Sequence, residues 1–361
     1  MIIQSLTMRQ FRCFQERTIP FDGRLIIIQG PNGSGKSSML EALHYCCYLR
    51  SFRTHLNREL MGMGSDYFFV QASFLQEDLG SSDTISVGFS GQDGKVIKYN
   101  QKNINSYKEL IAHFRLVTLA EDDLALIQGA PEGRRDFLNY ALLLNEPGLL
   151  PSFKRYRQVL DQRNSMLLTS TYTASELEIW TRTLWHEAAV IRNERIRYLA
   201  TLQDAVNVLL ATYFAQEEIV KVQLVYNARH VKDDHTFEQF WAAYQLQLIT
   251  EREWRRSLFG IHLDDIAIIF QSKRARAYAS RGQQKLIVLL MKIAQLQALS
   301  STGEPGVLLL DDFVTDFDAV KIQRALAAVS DLRFQVILSC PINLQAFVAH
   351  IPTADISYIS L

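Results

Sequence analysis

The segment Gly30-Pro31-Asn32-Gly33-Ser34-Gly35-Lys36-Ser37 has the residue types and spacing of a phosphate-binding loop. Its glycines let the backbone curl so that successive N–H groups point inward at an anion, and a following helix adds its positive N-terminal end. Lys36 is placed to reach the outer phosphates of a nucleotide. The Ser37 hydroxyl suits Mg²⁺, a hard ion that takes oxygen ligands. Farther along, Val307-Leu308-Leu309-Leu310-Asp311-Asp312 is an apolar run that ends in two carboxylates. A strand of this kind, buried in a parallel sheet, delivers acidic side chains at its C-terminal end, where such sheets hold their ligands. Asp311 is expected to orient Mg²⁺ and Asp312 to polarise an attacking water. Either motif alone could be a turn or a strand end, but the two on one chain point to nucleoside triphosphate chemistry.

The elements that must position these residues are legible around them. Residues 25–29 (LIIIQ) are β-branched and apolar, and they pass through the glycine-rich turn into the helix-like MLEALHYCCYL. The run Val307 to Leu310 is followed by a helical stretch around Val320 to Leu332 and by a third buried strand, Phe334 to Ser339. Segments 67–75 and 84–99 alternate apolar and polar residues as an antiparallel hairpin region does, which predicts a β arm. Between about 105 and 255 the pattern is helical. A seven-residue recurrence through Leu177, Leu184, Ile191, Tyr198 and Ala205 predicts one long helix over Ala174 to Thr212, packed in a helical lobe and not extended as a coiled-coil arm. The expected divisions are 1–104, 105–255 and 256–361, with loops near 78–83, 145–151 and 300–306.

At 361 residues, with 48% hydrophobic and 21% charged residues, the chain can bury a full core and has room for about two domains. Lys+Arg and Asp+Glu balance at 38 each, so no global field draws it to a polyanion. Any nucleic-acid contact must come from a local patch. Four cysteines, Cys13, Cys46, Cys47 and Cys340, make no Cys-x-x-Cys pair, which fits a reducing compartment and argues against structural zinc. No apolar run approaches the about 18 residues a membrane span needs, and the expectation is a cytoplasmic protein.

A third motif narrows the class. Ser280-Arg281-Gly282-Gln283-Gln284-Lys285 resembles the signature motif of ABC-type ATPases, and Thr315-Asp316-Phe317-Asp318 resembles their D-loop. In that class the signature of one protomer covers the phosphate held by the P-loop of the other, so the resemblance implies nucleotide contacts from Ser280, Arg281, Gly282, Gln283 and Asp318. Further blocks resemble the RecF family of recombination and repair ATPases, in order over almost the whole chain. They are Phe11-Arg12-Cys13-Phe14, Leu40-Glu41-Ala42, Arg50-Ser51-Phe52-Arg53, Glu121 to Leu138 (EDDLALIQGAPEGRRDFL), Tyr156 to Asn164 (YRQVLDQRN) and Gly260-Ile261-His262-Leu263-Asp264-Asp265. Ile261 and Leu263 stand where the family has Pro and Arg, Glu121 replaces a Pro, and Leu49 replaces a Gly. Ser339-Cys340 stands where many ABC ATPases have a sensor His, which implies slow hydrolysis.

The resemblance implies an α/β fold, a P-loop ABC-type ATPase head with a β arm, plus a mainly helical second lobe without a long coiled coil. It implies ATP and Mg²⁺ as cofactors. It also implies an ATP-driven homodimer that clamps double-stranded or gapped DNA, and RecR-like and RecO-like mediator partners that help load recombinase. Candidate DNA contacts are Arg50 and Arg53; Lys154, Arg155 and Arg157; Arg192, Arg195 and Arg197; Arg252, Arg255 and Arg256; Lys273, Arg274 and Arg276. An ABC transporter subunit would carry an LSGGQ-like signature and a sensor His, and a small SMC-like protein would carry long coiled-coil arms. The sequence offers none of these.

Overall fold

The computed structural model describes residues 1–76, 80–104, 114–169, 171–215, 221–231, 236–301, 306–340, 344–348 and 356–361. Parts of the expected loops near 78–83 and 300–306, and the expected boundary at 105, lie outside the described residues. The chain forms two compact units: Met1–Leu124, Ala205–Val220 and Ala279–Leu361 make the first, and Ala125–Asp204 with Lys221–Tyr278 make the second. Residues 256–278, expected with the C-terminal half of the head, fall in the second unit. The reason is strand pairing: Asp265–Phe270 runs antiparallel to Val222–Asn227 and to the two-residue strand Lys273–Arg274.

The first unit has two sheets. Five parallel strands run in the order Ile356–Ser360, Leu25–Gln29, Gln335–Cys340, Val307–Leu310, Leu116–Leu119. Val307–Leu310 and Gln335–Cys340 are buried throughout, as parallel strands covered on both faces must be, which explains their unbroken apolar sequences. The register aligns Leu310 with Leu338 and Leu119, and Cys340 with Gln29. One edge of the sheet therefore gathers the residues that follow these strands: Gly30, Asp311 and Ala120, together with Ser339.

The second sheet of this unit is antiparallel and six-stranded, in the order Phe14–Pro20, Ile2–Phe11, Tyr67–Gln76, Ser81–Ser90, Gly94–Tyr99, Lys102–Asn103. The hairpin region legible over 67–99 is thus continued by the first two strands of the chain. The helix Lys36–Tyr48 packs against strands of both sheets, and every residue of it but Ser37 is buried. A helix covered all round needs no polar face, hence its run of Met39, Leu40, Ala42, Leu43, Cys46 and Cys47.

The second unit is mainly helical: Pro131–Asn145, Leu150–Thr169, Phe237–Trp254 and most of the 40-residue helix Ala174–Tyr213. Leu177, Leu184, Ala188 and Ile191 of the long helix pack with Phe237, Phe240, Tyr244 and Phe259. Within this core lies a fully buried ion pair, Arg163 to Glu251, with both side chains at 0% exposure. Arg163 donates to both Glu251 oxygens at 2.9 and 2.5 Å and to Ser257 Oγ at 2.7 Å, while Tyr244 Oη and the Leu258 N–H also donate to Glu251 at 2.7 Å. The donors satisfy the carboxylate so completely that removing one partner is expected to cost about 3–5 kcal/mol.

Candidate active site

The P-loop follows directly on strand Leu25–Gln29. Gly33 and Gly35 adopt φ of 85° and 102°, backbone that L side chains rarely adopt, so glycine is required there. At Gly35 space is also short, since a Cβ would lie 2.6 Å from the Phe14 ring. The helix that starts at Lys36 has no side-chain cap and no acidic residue in its first turn. Its first N–H groups and its positive dipole end are left for an anion. Lys36 Nζ donates to the carbonyls of Gly30 and Pro31 at 2.8 and 2.9 Å, which holds the ammonium across the loop. Gln29 Nε2, Ser34 Oγ and Asp312 Oδ1 are buried and, among the described residues, without hydrogen-bond partners. Buried polar atoms rarely stay unpaired, so three on and opposite one phosphate loop fit a polar ligand.

The acidic strand end meets the loop as its sequence suggests. Ser37 Oγ donates to Asp311 Oδ1 at 2.9 Å. Ser339 Oγ donates to the same oxygen at 2.6 Å and accepts the Asp312 N–H at 3.0 Å. Two hydroxyls and a carboxylate form a compact set of hard oxygen donors, the chemistry a Mg²⁺ ion takes. Asp312 sits at φ 48°, a left-handed conformation that Asp tolerates better than most residues. Burial raises its pKa, and neighbouring Asp311 raises it further against the opposing pull of Lys285. A raised pKa makes this carboxylate a better proton acceptor than an ordinary aspartate.

Ser280 precedes the helix Arg281–Ser301, and a reciprocal pair closes that helix start: the Gln283 N–H donates to Ser280 Oγ at 3.2 Å, and the Ser280 N–H donates to Gln283 Oε1 at 2.8 Å. The Ser280 O–H proton stays available to an acceptor. Arg281 pairs with Asp316 at 3.1 Å and with Glu121 at 3.6 Å. A Cβ on Gly282 would stand 2.8 Å from the Asp316 carbonyl oxygen, so glycine here admits the chain's own D-loop backbone. Asp318 is exposed and caps the helix Ala319–Ser330, accepting the Lys321 N–H at 2.9 Å and pairing with Lys321 Nζ at 2.6 Å. Those bonds lower its pKa and engage the carboxylate within its own helix start.

Two positioning residues were not singled out from the sequence. Lys285 Nζ donates to the Asp312 carbonyl at 2.8 Å and to Thr315 Oγ1 at 2.7 Å, and it reaches Asp316 Oδ2 at 3.3 Å, which ties the signature helix to the acidic strand end and the D-loop. Its place as the last residue of SRGQQK was the available signal. In the sequence Ser339 stands only as a replacement for the usual histidine, yet its hydroxyl donates to Asp311 Oδ1 and accepts the Asp312 N–H. Glu121, Asp122 and Asp123 form a short helical turn after strand Leu116–Leu119, with Asp123 paired to Lys292 at 2.7 Å.

Outside the site, three separated sequence blocks converge. Arg12 makes a bidentate pair with the fully buried Glu41 at 2.7 and 2.8 Å, Ser51 bonds the same carboxylate, and Arg53 lies 3.8 Å from it. In the second unit Arg134 pairs bidentately with Asp265, and Tyr156 Oη meets His262 Nδ1 at 2.6 Å. Burial lowers the His262 pKa to about 4, so the ring is neutral and offers no cationic contact at neutral pH. The expectation of exposed arginines fails at two positions. Arg192 and Arg195 are 4% and 1% exposed and bond Asp264, Asn139, Tyr226 and the Ile261 carbonyl, so they hold the second unit together and cannot meet DNA.

A family model for an AAA domain matches residues 5–250. The DNA replication and repair protein RecF of Cyanothece sp. is 30% identical over 352 residues, covering 94% of this chain and 91% of the relative. A solved structure of a recombination mediator protein RecF with ATP, of the RecFOR pathway, matches with a TM-score of 0.81 at 26% identity, covering 95% of this chain and 92% of that one. An Smc head bound to the winged-helix domain of ScpA matches with a TM-score of 0.56 at 15% identity, covering 95% of this chain and 90% of that one, a likeness of fold. The ABC/SMC-like ATPase head fold expected from the motifs is the fold observed.

Proposed function

Because this chain belongs to the RecF family of DNA replication and repair proteins, we propose that it is an ATP-controlled DNA-binding protein of recombinational repair. The observation that carries the reading is the cluster of Ser37, Asp311 and Ser339 beside an uncapped helix start. The loop Gly30–Ser37 cradles the phosphates through its N–H groups, and Lys36 turns from its two carbonyls to the outer phosphates. Ser37 and Asp311 would hold Mg²⁺, which when bound would neutralise phosphate charge. Asp312, buried and anchored through its backbone by Ser339 and Lys285, orients the attacking water and accepts its proton. With serine at the usual sensor position, hydrolysis is slow and serves as a timer.

The composite site follows from the class the motifs resemble. Ser280, Arg281, Gly282 and Gln283 of one protomer cover the phosphate bound by its partner, so ATP closes an isologous dimer. The closed dimer clamps duplex or gapped DNA through backbone contacts, with little base readout. The solved relative belongs to a RecFOR pathway, which supports RecO-like and RecR-like partners for this chain.

Closure doubles the phosphate contacts, and each adds about 0.9 to the slope of log affinity against log salt. ATP is therefore expected to tighten duplex binding and to steepen its loss with salt, while Lys36→Ala shows neither effect. Charge reversal at Arg53 or Arg157 flattens the slope. Titration of a fluorescent duplex at several salt concentrations, with and without ATP, checks this; identical affinity and slope in all cases would remove the clamp.

A further inference from the structure

We infer that a cavity within the second unit docks a protein segment that carries one apolar side chain flanked by carboxylates. The cavity, of about 190 Å³, is lined by strand Asp265–Phe270, by the short helix Ala125–Gln128 and by the segment from Arg274 to Arg276. Leu126, Ile127, Ile266 and Ile268, each less than a tenth exposed, give it an apolar wall. Small-molecule and cofactor sites run from about 300 to 1,000 Å³, so this one is too small for a nucleotide and suits a single side chain. Arg274 and Arg276 border the same space. Both are exposed, and among the described residues neither guanidinium forms an ion pair or a hydrogen bond. Three lining arginines, Arg134, Arg274 and Arg276, against one aspartate, Asp265, leave an excess of two positive charges.

The walls are fixed before anything enters. Arg134 is bidentate to Asp265 at 2.7 and 3.0 Å and also donates to the carbonyls of Leu126 and Gly129 at 3.3 and 3.0 Å, which ties the short helix to the strand. The turn at Gln271 and Ser272, with φ of 47° and 61°, folds Lys273–Arg274 back on Ile269–Phe270. A site built this way loses little entropy on binding. The chemistry of the occupant follows from the lining: an apolar side chain buries against the isoleucines and Leu126, and carboxylates beside it meet the two guanidinium forks. Asp265 distinguishes a peptide from a nucleic-acid strand. Among the described residues its Oδ2 accepts only from Arg134 Nη2, so it can also accept a peptide N–H, whereas a phosphate in that place is repelled. The cavity lies wholly within the second unit and shares no residue with the P-loop, the acidic strand end or the signature motif, so it stands or falls apart from the clamp.

The test is fluorescence anisotropy of two labelled acidic heptapeptides on the full-length protein, one with leucine at its centre and one with serine there. The leucine peptide is expected to bind about ten-fold more tightly, the difference that burial of one leucine makes. Arg274→Glu combined with Arg276→Glu should weaken both peptides about ten-fold. The same reversal at the exposed Arg252 and Arg256 of this unit should leave both nearly unchanged. Ala267→Leu, which fills the cavity from the strand, should abolish the preference for leucine and keep the affinity for the serine peptide, with the melting temperature showing that the variant folds. Four results overturn the proposal: no measurable binding of the leucine peptide to the wild type, equal affinity for the two peptides, equal losses in the two double reversals, or displacement of the peptide by oligothymidylate at equal concentration, which would mark Arg274 and Arg276 as nucleic-acid contacts.

Discussion

Asp311 and Asp312 are adjacent and chemically identical, yet their surroundings divide them. Asp311 accepts from the hydroxyls of Ser37 and Ser339, whereas Asp312 is held by its backbone, with its Oδ1 buried and, among the described residues, unpaired, and its pKa raised by burial. The division predicts different defects. Asp312→Asn is expected to slow single-turnover hydrolysis by about 10²–10⁴-fold, the usual contribution of a general base, while ATP affinity is kept. Lys36→Ala is expected to weaken ATP binding itself. Equilibrium nucleotide binding measured beside single-turnover hydrolysis separates the two, and equal losses of affinity contradict the assignment. At this scale the P-loop and the acidic pair were legible because their chemistry is local in sequence. Ser339 and Lys285 were not, because their partners stand about 30 residues away along the chain and meet Ser339 through strand register and Lys285 through the placement of its helix. Arg192 and Arg195 read as surface cations for the same reason: Asp264 and Asn139, which bury them, are far from them in sequence.

The strands and helices bearing the site follow from runs a reader can count: LIIIQ, VLLL and QVILSC became buried parallel strands, and the heptad-like row from Leu177 became one helix. What the runs could not reveal is how the antiparallel segments join, since the first two strands alternate weakly and their pairing with Tyr67–Gln76 spans a long stretch of chain. The contact between the signature helix and the D-loop is equally non-local, and it gives a sharp test. Alanine is a better helix former than glycine by about 1 kcal/mol, but at Gly282 its Cβ would press on the Asp316 carbonyl at 2.8 Å. Overpacking of this kind costs about 1–3 kcal/mol, so Gly282→Ala is expected to lower the melting temperature and displace the D-loop. Thermal unfolding checks the sign; a raised melting temperature would mean that the helix and D-loop do not pack as described.

For the molecule as a whole, neutrality at pH 7 with 38 basic and 38 acidic residues means that the proposed assembly and DNA binding would rest on placement, not on a global field. Within the first unit the P-loop helix start is uncapped, while the signature helix start is capped by Ser280, whose O–H proton remains to be donated. Each chain thus has one helix start open to an anion and one whose serine can still donate, and the central proposal is that ATP joins them across two chains. Sedimentation velocity with and without ATP and Mg²⁺, on the wild type and on Ser280→Arg with nucleotide affinity measured in parallel, tests that claim most directly. The account predicts an ATP-dependent dimer for the wild type and a monomer for Ser280→Arg that still binds ATP nearly as well; a Ser280→Arg protein that dimerises normally with ATP would contradict it.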